Sequence, residues 1–138
     1  MTRHPLQSLL DRSVGFDRKL GVAYERLSPE EVVASLSVTA AHHQPGGYVH
    51  GGVNVALAES VASVGATLAA PEGKVAFGME INANHVRPVR AGTLRATARP
   101  LHVGRTTQVW EVRIEDEEGR LVCVSRCTLA IVEAERRA

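Results

Sequence analysis

Residues 51–70, GGVNVALAESVASVGATLAA, decide how this chain folds. The segment is alanine-rich and too long for one strand, so it predicts a buried helix from about Gly51 to Ala70. Pro71-Glu72-Gly73 ends it. Its length also raises the question of a membrane span. Asn54, Glu59, Ser60, Ser63, Gly65 and Thr67 all fall inside it, which makes a core helix the better reading. Between Ala41 and Pro71 one side chain carries a formal charge, Glu59.

Outward from the helix the pattern changes to short alternating runs. Pro5 to about Arg12 is amphipathic and suits a short helix. KLGVAYERL (19–27) and EVVASLSVT (31–39) read as strands around a Ser28-Pro29-Glu30 turn, with Val32, Ala34, Leu36 and Val38 on one face. Beyond the helix, KVAFGMEINANHV (74–86) places Val75, Phe77, Met79, Ile81, Ala83 and His85 on one face. GTLRATARPLHV (92–103) sets Leu94, Ala96 and Ala98 against Thr93, Arg95, Thr97 and Arg99. RTTQVWEVRI (105–114) and RLVCVSRCTLAIV (120–132) flank an EDEEG turn, and the last run is apolar enough to be buried on both faces. One long helix early in about six mostly antiparallel strands is an α+β layout, a sheet curled around a helix. With 138 residues and no repeat or linker, the chain is expected to form one domain.

Composition removes several classes of function. Sixteen basic residues against 15 acidic ones leave a net charge of +1, and aromatics make up 4%. Neither bulk electrostatic binding to nucleic acid nor a base-stacking platform is expected from such a chain. MTRHPLQSLLDRS lacks the apolar core of a signal peptide. Cys123 and Cys127 share a strand face but stand roughly 13 Å apart, too far for a disulfide. Together these features predict a protein of the reduced cytoplasm, away from membranes.

Glu59 is the first candidate for chemistry. Its helical neighbours at three and four residues are Val55, Ala56, Ala62 and Ser63, so no cation within the helix pairs with it. Apolar surroundings that withhold water make a carboxylate a stronger base, suited to general-base or nucleophilic work. Ser63 lies one turn further on the same stripe; it either bonds back to its own helix or holds substrate or water beside Glu59. At the other end, His50-Gly51-Gly52 opens the helix, where unpaired N–H groups at the positive end of the dipole can hold an oxyanion. Gly51 and Glu59 are eight residues apart, roughly 12 Å along one helix. A reacting carbonyl must lie within about 3 Å of both groups, so one helix cannot supply both. The expectation is a site shared across a two-fold dimer of antiparallel helices.

The remaining candidates carry less signal. Gln44 can donate its amide to a substrate carbonyl, or be an ordinary loop residue. His85 falls on an apolar strand face, where a hydrogen-bonded core histidine is commoner than a catalyst. His42, His43 and His50 lack Cys or carboxylate partners at metal-ligand spacing, so no metal is expected. HVGRTT (102–107) offers a turn, a cation and two hydroxyls that suit a phosphate, and Arg87 with Arg90 forms a second mild cationic cluster.

At QPGGYVHGGVNVALAES, EINANHVRPVRAG, HVGRTTQVWEVRI and GRLVCVSR, in that order and spacing, the chain resembles the hotdog-fold acyl-CoA thioesterases. It is similar to the phenylacetyl-CoA and 4-hydroxybenzoyl-CoA thioesterase group. Within that group it looks nearest to the thioesterases of 1,4-dihydroxy-2-naphthoyl-CoA and to enterobactin proofreading thioesterases. The resemblance implies a sheet of five to six strands wrapped around the central helix, and dimers paired into tetramers. It puts the catalytic carboxylate on Glu59, the oxyanion N–H on Gly51 beside His50, the thioester-binding glutamine on Gln44 and the water- or substrate-holding serine on Ser63. His85 falls near the acyl group, and Arg105, Thr106 and Thr107 in a region that helps hold CoA. Gly46-Gly47-Tyr48 departs from the bulkier residue the group carries before H-G-G.

The expected function is hydrolysis of an acyl-CoA or acyl-carrier-protein thioester with an aryl or aromatic-like acyl group. No cofactor is needed, since CoA is part of the substrate. Two alternatives use the same fold: an enoyl thioester hydratase or dehydratase, with His43 as the acid in place of Gln44, and a non-catalytic acyl-CoA-binding protein.

Overall fold

The structure, a computed structural model, describes residues 5–12 and 14–135. Two short helices, α1 (Pro5–Asp11) and α2 (Phe16–Leu20), precede strands β1 (Val22–Leu27) and β2 (Val32–Ser37). A single 3-10 turn at Ala40–His42 leads to the long helix α3 (Gly51–Ala69). Strands β3 (Lys74–His85), β4 (Thr93–Val103), β5 (Thr107–Glu115) and β6 (Leu121–Glu133) complete the chain. All six strands form one antiparallel sheet in the order β1-β2-β4-β5-β6-β3, so β1 and β3 are its edges.

α3 is long and apolar enough to cross a membrane by length and composition, with mean hydropathy 1.3. Here it is the core helix of an α+β fold. Its buried residues come in adjacent pairs repeating every four positions: Val53 and Asn54, Leu57 and Ala58, Val61 and Ala62, Gly65 and Ala66. That repeat gives one continuous stripe against the sheet. Small residues in the stripe let the helix lie close to β5. Gly65 faces Trp110, and a Cβ there would stand 2.5 Å from the ring. Trp110 is fully buried; its indole N–H donates to Gln108 Oε1 (2.7 Å), and the Gln108 amide donates to the Ala66 carbonyl (3.1 Å). The buried glutamine thus satisfies both neighbours at once.

Three sequence expectations need correction. Lys19 and Leu20 begin no strand: they end α2, which stops at Gly21 (φ +84°), whose N–H bonds back to the Asp17 and Arg18 carbonyls. A left-handed glycine after basic residues is a helix stop, and β1 starts after it. In β3 the alternation breaks between Gly78 and Glu80, where Met79 is an extra residue opposite β6. The bulge switches faces. Ala76, Ile81 and Ala83 pack against the core, while Phe77 and Met79 are exposed. Finally, β6 is not buried on both faces. Cys123, Ser125, Cys127, Leu129 and Ile131 are buried, whereas Arg126 and Val132 on the opposite face are exposed. Both cysteines are free and buried, as their spacing predicted.

Candidate active site

Six of the candidate residues, Gln44, Gly51, Glu59, Ser63, His85 and Arg87, fall into two separate clefts on one chain. The first, about 420 Å³, lies at the start of α3 and is lined by Gln44, Tyr48, Gly51, Asn54, His85 and Arg87 among others. The second, about 580 Å³, lies halfway along α3 and contains Glu59 and Ser63, with Phe16, Asp17, Ser60 and Gly78. No lining residue is common to the two.

The first cleft presents donors. His50 caps α3 by accepting the Gly52 N–H on Nδ1 at 2.8 Å, and its own N–H bonds to the His42 carbonyl at 2.9 Å. Gly51 lines this cleft at the positive end of the helix, and its N–H has no acceptor among the described residues. Gln44 Oε1 accepts the Gly46 N–H, and the NH₂ end of this amide has no partner among the described residues. His85 stands beside Gly51, with Nε2 3.0 Å from where a Gly51 Cβ would be. Its Nδ1 is bonded to the Asn54 amide at 3.2 Å. With Asn54 donating, the ring proton sits on Nε2, toward Gly51. His85 is therefore a cleft residue at the exposed end of β3, not a core histidine.

The second cleft presents a carboxylate. Glu59 has no cation partner and no hydrogen bond among the described residues, so the isolation read from its helix persists in three dimensions. Its carboxylate packs against Gly78, in the space that a Cβ at this position would take. Ser63 does not bond back to its helix; its hydroxyl has no partner among the described residues. Neighbouring Ser60 is engaged elsewhere, donating to Asp17. Burial, then the charges of Glu59 and Glu80, pushes the Cys127 thiol up to about 12, which keeps it a neutral core group.

Arg105 and Thr106 lie in the β4–β5 turn, Thr107 opens β5, and none of the three lines either cleft. Thr106 and Thr107 use their carbonyls to accept the Ile131 and Gly104 N–H groups, both at 2.9 Å. His43 donates through Nε2 to the Arg90 carbonyl (2.7 Å) and lines neither cleft, so the acid that a hydratase would need is engaged elsewhere. Next to Gly46-Gly47, the Tyr48 ring is covered by the Arg90 guanidinium at 4.0 Å, and a Cβ at Gly47 would stand 3.3 Å from that guanidinium. Sequence reading missed Phe16, Asp17 and Asn54 as cleft residues. Asn54 had a usable signal, a polar side chain on the buried stripe of α3; Asp17 had none, because its partner Ser60 is 43 positions away.

A family model described as the thioesterase superfamily matches residues 46–123, which include the H-G-G turn and all of α3. The 1,4-dihydroxy-2-naphthoyl-CoA hydrolase of Listeria monocytogenes is 45% identical over 118 residues, 86% of this chain and 96% of that one. The proofreading thioesterase EntH of Klebsiella pneumoniae is 43% identical over 113 residues, 82% of each chain. The structure of a Haemophilus influenzae thioesterase superposes with TM-score 0.87 at 40% identity, covering 100% of this chain and 96% of that one. Two structures of a Staphylococcus aureus thioesterase, each 33% identical, have TM-scores 0.82 and 0.80. They cover 86% and 83% of this chain, and 98% and 96% of theirs. One replaces a glutamate by alanine and the other a glutamine, fifteen positions apart. A six-stranded sheet around one long helix is thus the hotdog fold. The chain belongs to the thioesterase superfamily and is a thioester hydrolase.

Proposed function

We propose that the protein hydrolyses acyl-CoA thioesters with a ring-bearing acyl group, in sites built from two copies of the chain. One copy contributes Gly51 and Gln44; the other contributes Glu59 and Ser63. The observation that carries this reading is the separation of donors and carboxylate into two clefts of one chain, each lacking what the other holds. Gln44 and Glu59 are fifteen positions apart, the spacing of the two residues replaced in the S. aureus structures, which supports pairing these two roles.

The chemistry follows from the groups. The thioester carbonyl accepts the Gly51 N–H and the Gln44 amide N–H, which stabilise negative charge as it develops on oxygen. Glu59 takes a proton from water held by Ser63. The water oxygen bonds to the carbonyl carbon, and the tetrahedral oxyanion collapses with cleavage of the C–S bond. The thiolate leaves and recovers the proton from Glu59. Direct attack by the Glu59 carboxylate, forming a mixed anhydride that water then opens, uses the same groups.

The apolar walls of the Glu59 cleft and the naphthoyl substrate of the Listeria relative support a ring-bearing acyl group. Arg87, which lines the Gly51 cleft, is assigned here to the anionic part of CoA, and Arg105, Thr106 and Thr107 to the phosphates farther along it. A carrier protein presents the same pantetheine arm and is the competing substrate.

Thiol release measured across aryl, phenylacetyl and fatty acyl-CoAs, for wild type and Glu59→Ala, tests the reading. Wild type is expected to favour aryl thioesters, and the variant to lose turnover while retaining binding. Turnover at the wild-type rate by the variant removes Glu59 from the mechanism. Tight binding without turnover by wild type supports the non-catalytic alternative.

A further inference from the structure

α2 has five residues, too few to hold a fixed position by its own hydrogen bonds. It is nevertheless tied down on both sides. Asp17 accepts hydrogen bonds from Tyr24 Oη on β1 (2.8 Å) and from Ser60 Oγ on α3 (2.5 Å). Leu20 is buried in the core at 8% exposure, and its carbonyl is bonded to His42 Nε2 at 2.7 Å. Yet the first residue of the helix, Phe16, is 66% exposed and lines the Glu59 cleft together with Ala56 and Val64. None of the ties buries Phe16. What they hold is the backbone of α2, which carries a bare aromatic side chain on the wall of the cleft that holds the unpaired carboxylate.

A ring that the chain leaves uncovered on a tethered backbone suits an apolar ligand. Ordering it costs little at the moment of binding, and covering it removes apolar surface from water. The two clefts also divide polarity. Free N–H donors and Arg87 belong to the Gly51 cleft, while the Glu59 cleft carries the carboxylates of Asp17 and Glu59 with apolar neighbours. Anionic portions of a substrate are favoured in the first and repelled from the second.

We infer that Phe16, held by the bonds of Asp17 to Tyr24 and Ser60, is the wall that selects the acyl group, and that it selects uncharged, ring-bearing acyl groups over small ones. Phe16 contacts the acyl group, and Asp17 and Tyr24 are positioning residues. This rests on the reading that Glu59 acts on the thioester.

The test compares kcat/KM for benzoyl-CoA and acetyl-CoA, expressed as a ratio. In Phe16→Ala the ratio falls about tenfold or more, chiefly through KM for benzoyl-CoA. Phe16→Leu, which keeps an apolar wall, retains most of the ratio. Tyr24→Phe removes one tie without altering the cleft lining, and lowers the same ratio by a smaller factor. An unchanged ratio in Phe16→Ala, or equal losses on both substrates, overturns the inference. Glu59→Gln separates the two levels. If it turns over both substrates at the wild-type rate, the reading of Glu59 fails; if it is inactive while Phe16→Ala keeps the wild-type ratio, only the wall is refuted.

Discussion

Glu59 and Gly78 share one space: the carboxylate on α3 lies where any side chain at position 78 of β3 would have to stand. The glycine follows the helix in sequence, and it immediately precedes the bulge residue Met79. A methyl group there must displace either the strand or the carboxylate, and the glutamate is the more movable of the two. Gly78→Ala is expected to lower kcat by about tenfold or more, because small misplacements of a reacting group are costly. Circular dichroism and melting temperature should change little, since the position is exposed. Full kcat in a folded Gly78→Ala variant would show that the observed placement of Glu59 is not the working one.

A second close approach governs stability instead. Gly65 leaves room for the buried Trp110 ring, and a Cβ would stand 2.5 Å from it. Gly65→Ala gains about 1 kcal/mol of helix propensity. Overpacking against a rigid ring typically costs about 1–3 kcal/mol, and the Gln108 bridge holds Trp110 in place, so the cost is expected to win. Urea unfolding of Gly65→Ala should show a net loss of up to about 2 kcal/mol. A more stable variant would mean that the ring shifts freely.

Local sequence carried the parts of this molecule that are local in space. The helix was readable from its length and alanine content, and the carboxylate from its lack of partners at three and four residues. The distance argument between Gly51 and Glu59 needed only helical rise, and the structure separates them into two clefts as that argument required. What stayed hidden depends on long-range pairing. The face switch in β3 exists only opposite β6, because a bulge is defined by the partner strand. Asp17 looks like any charge beside two basic residues until Tyr24 and Ser60 are brought to it. The end of α2 was the exception, for Gly21 after Arg18 and Lys19 was a legible stop.

Alkaline pH should destabilise the fold through Cys127. Its thiol rises from 9.0, the ordinary value of an exposed thiol, to about 12 when folded, because burial and the nearby charges of Glu59 and Glu80 disfavour the thiolate. The folded state therefore holds its proton where the unfolded chain has lost it. That contribution to stability is fully present below pH 9 and disappears as pH rises through about 12. Tyr24 is shifted upward as well, by burial and by Asp17, and adds to the same trend. Melting temperatures measured from pH 8 upward should fall less steeply in Cys127→Ala than in wild type. Identical slopes would show that the thiol is not the titrating group. The same burial predicts that Cys127 escapes alkylation in the native protein at pH 8 and reacts once unfolded.

The shared site makes a prediction that no single-chain site can match. Glu59→Gln removes the carboxylate, and Gln44→Ala removes a carbonyl donor; each homogeneous variant should lose most of its activity. In a mixed dimer, the copy carrying Glu59→Gln still has its Gln44, and it faces an intact Glu59 on the other copy. One of the two sites is then complete. If subunits exchange at random, half the dimers are mixed and half their sites work, so an equal mixture recovers about a quarter of wild-type activity. Refolding the two variants together and assaying thiol release measures this directly. Recovery no greater than the sum of the separate variants would place Gln44 and Glu59 in one chain's site and require the two clefts to be bridged some other way.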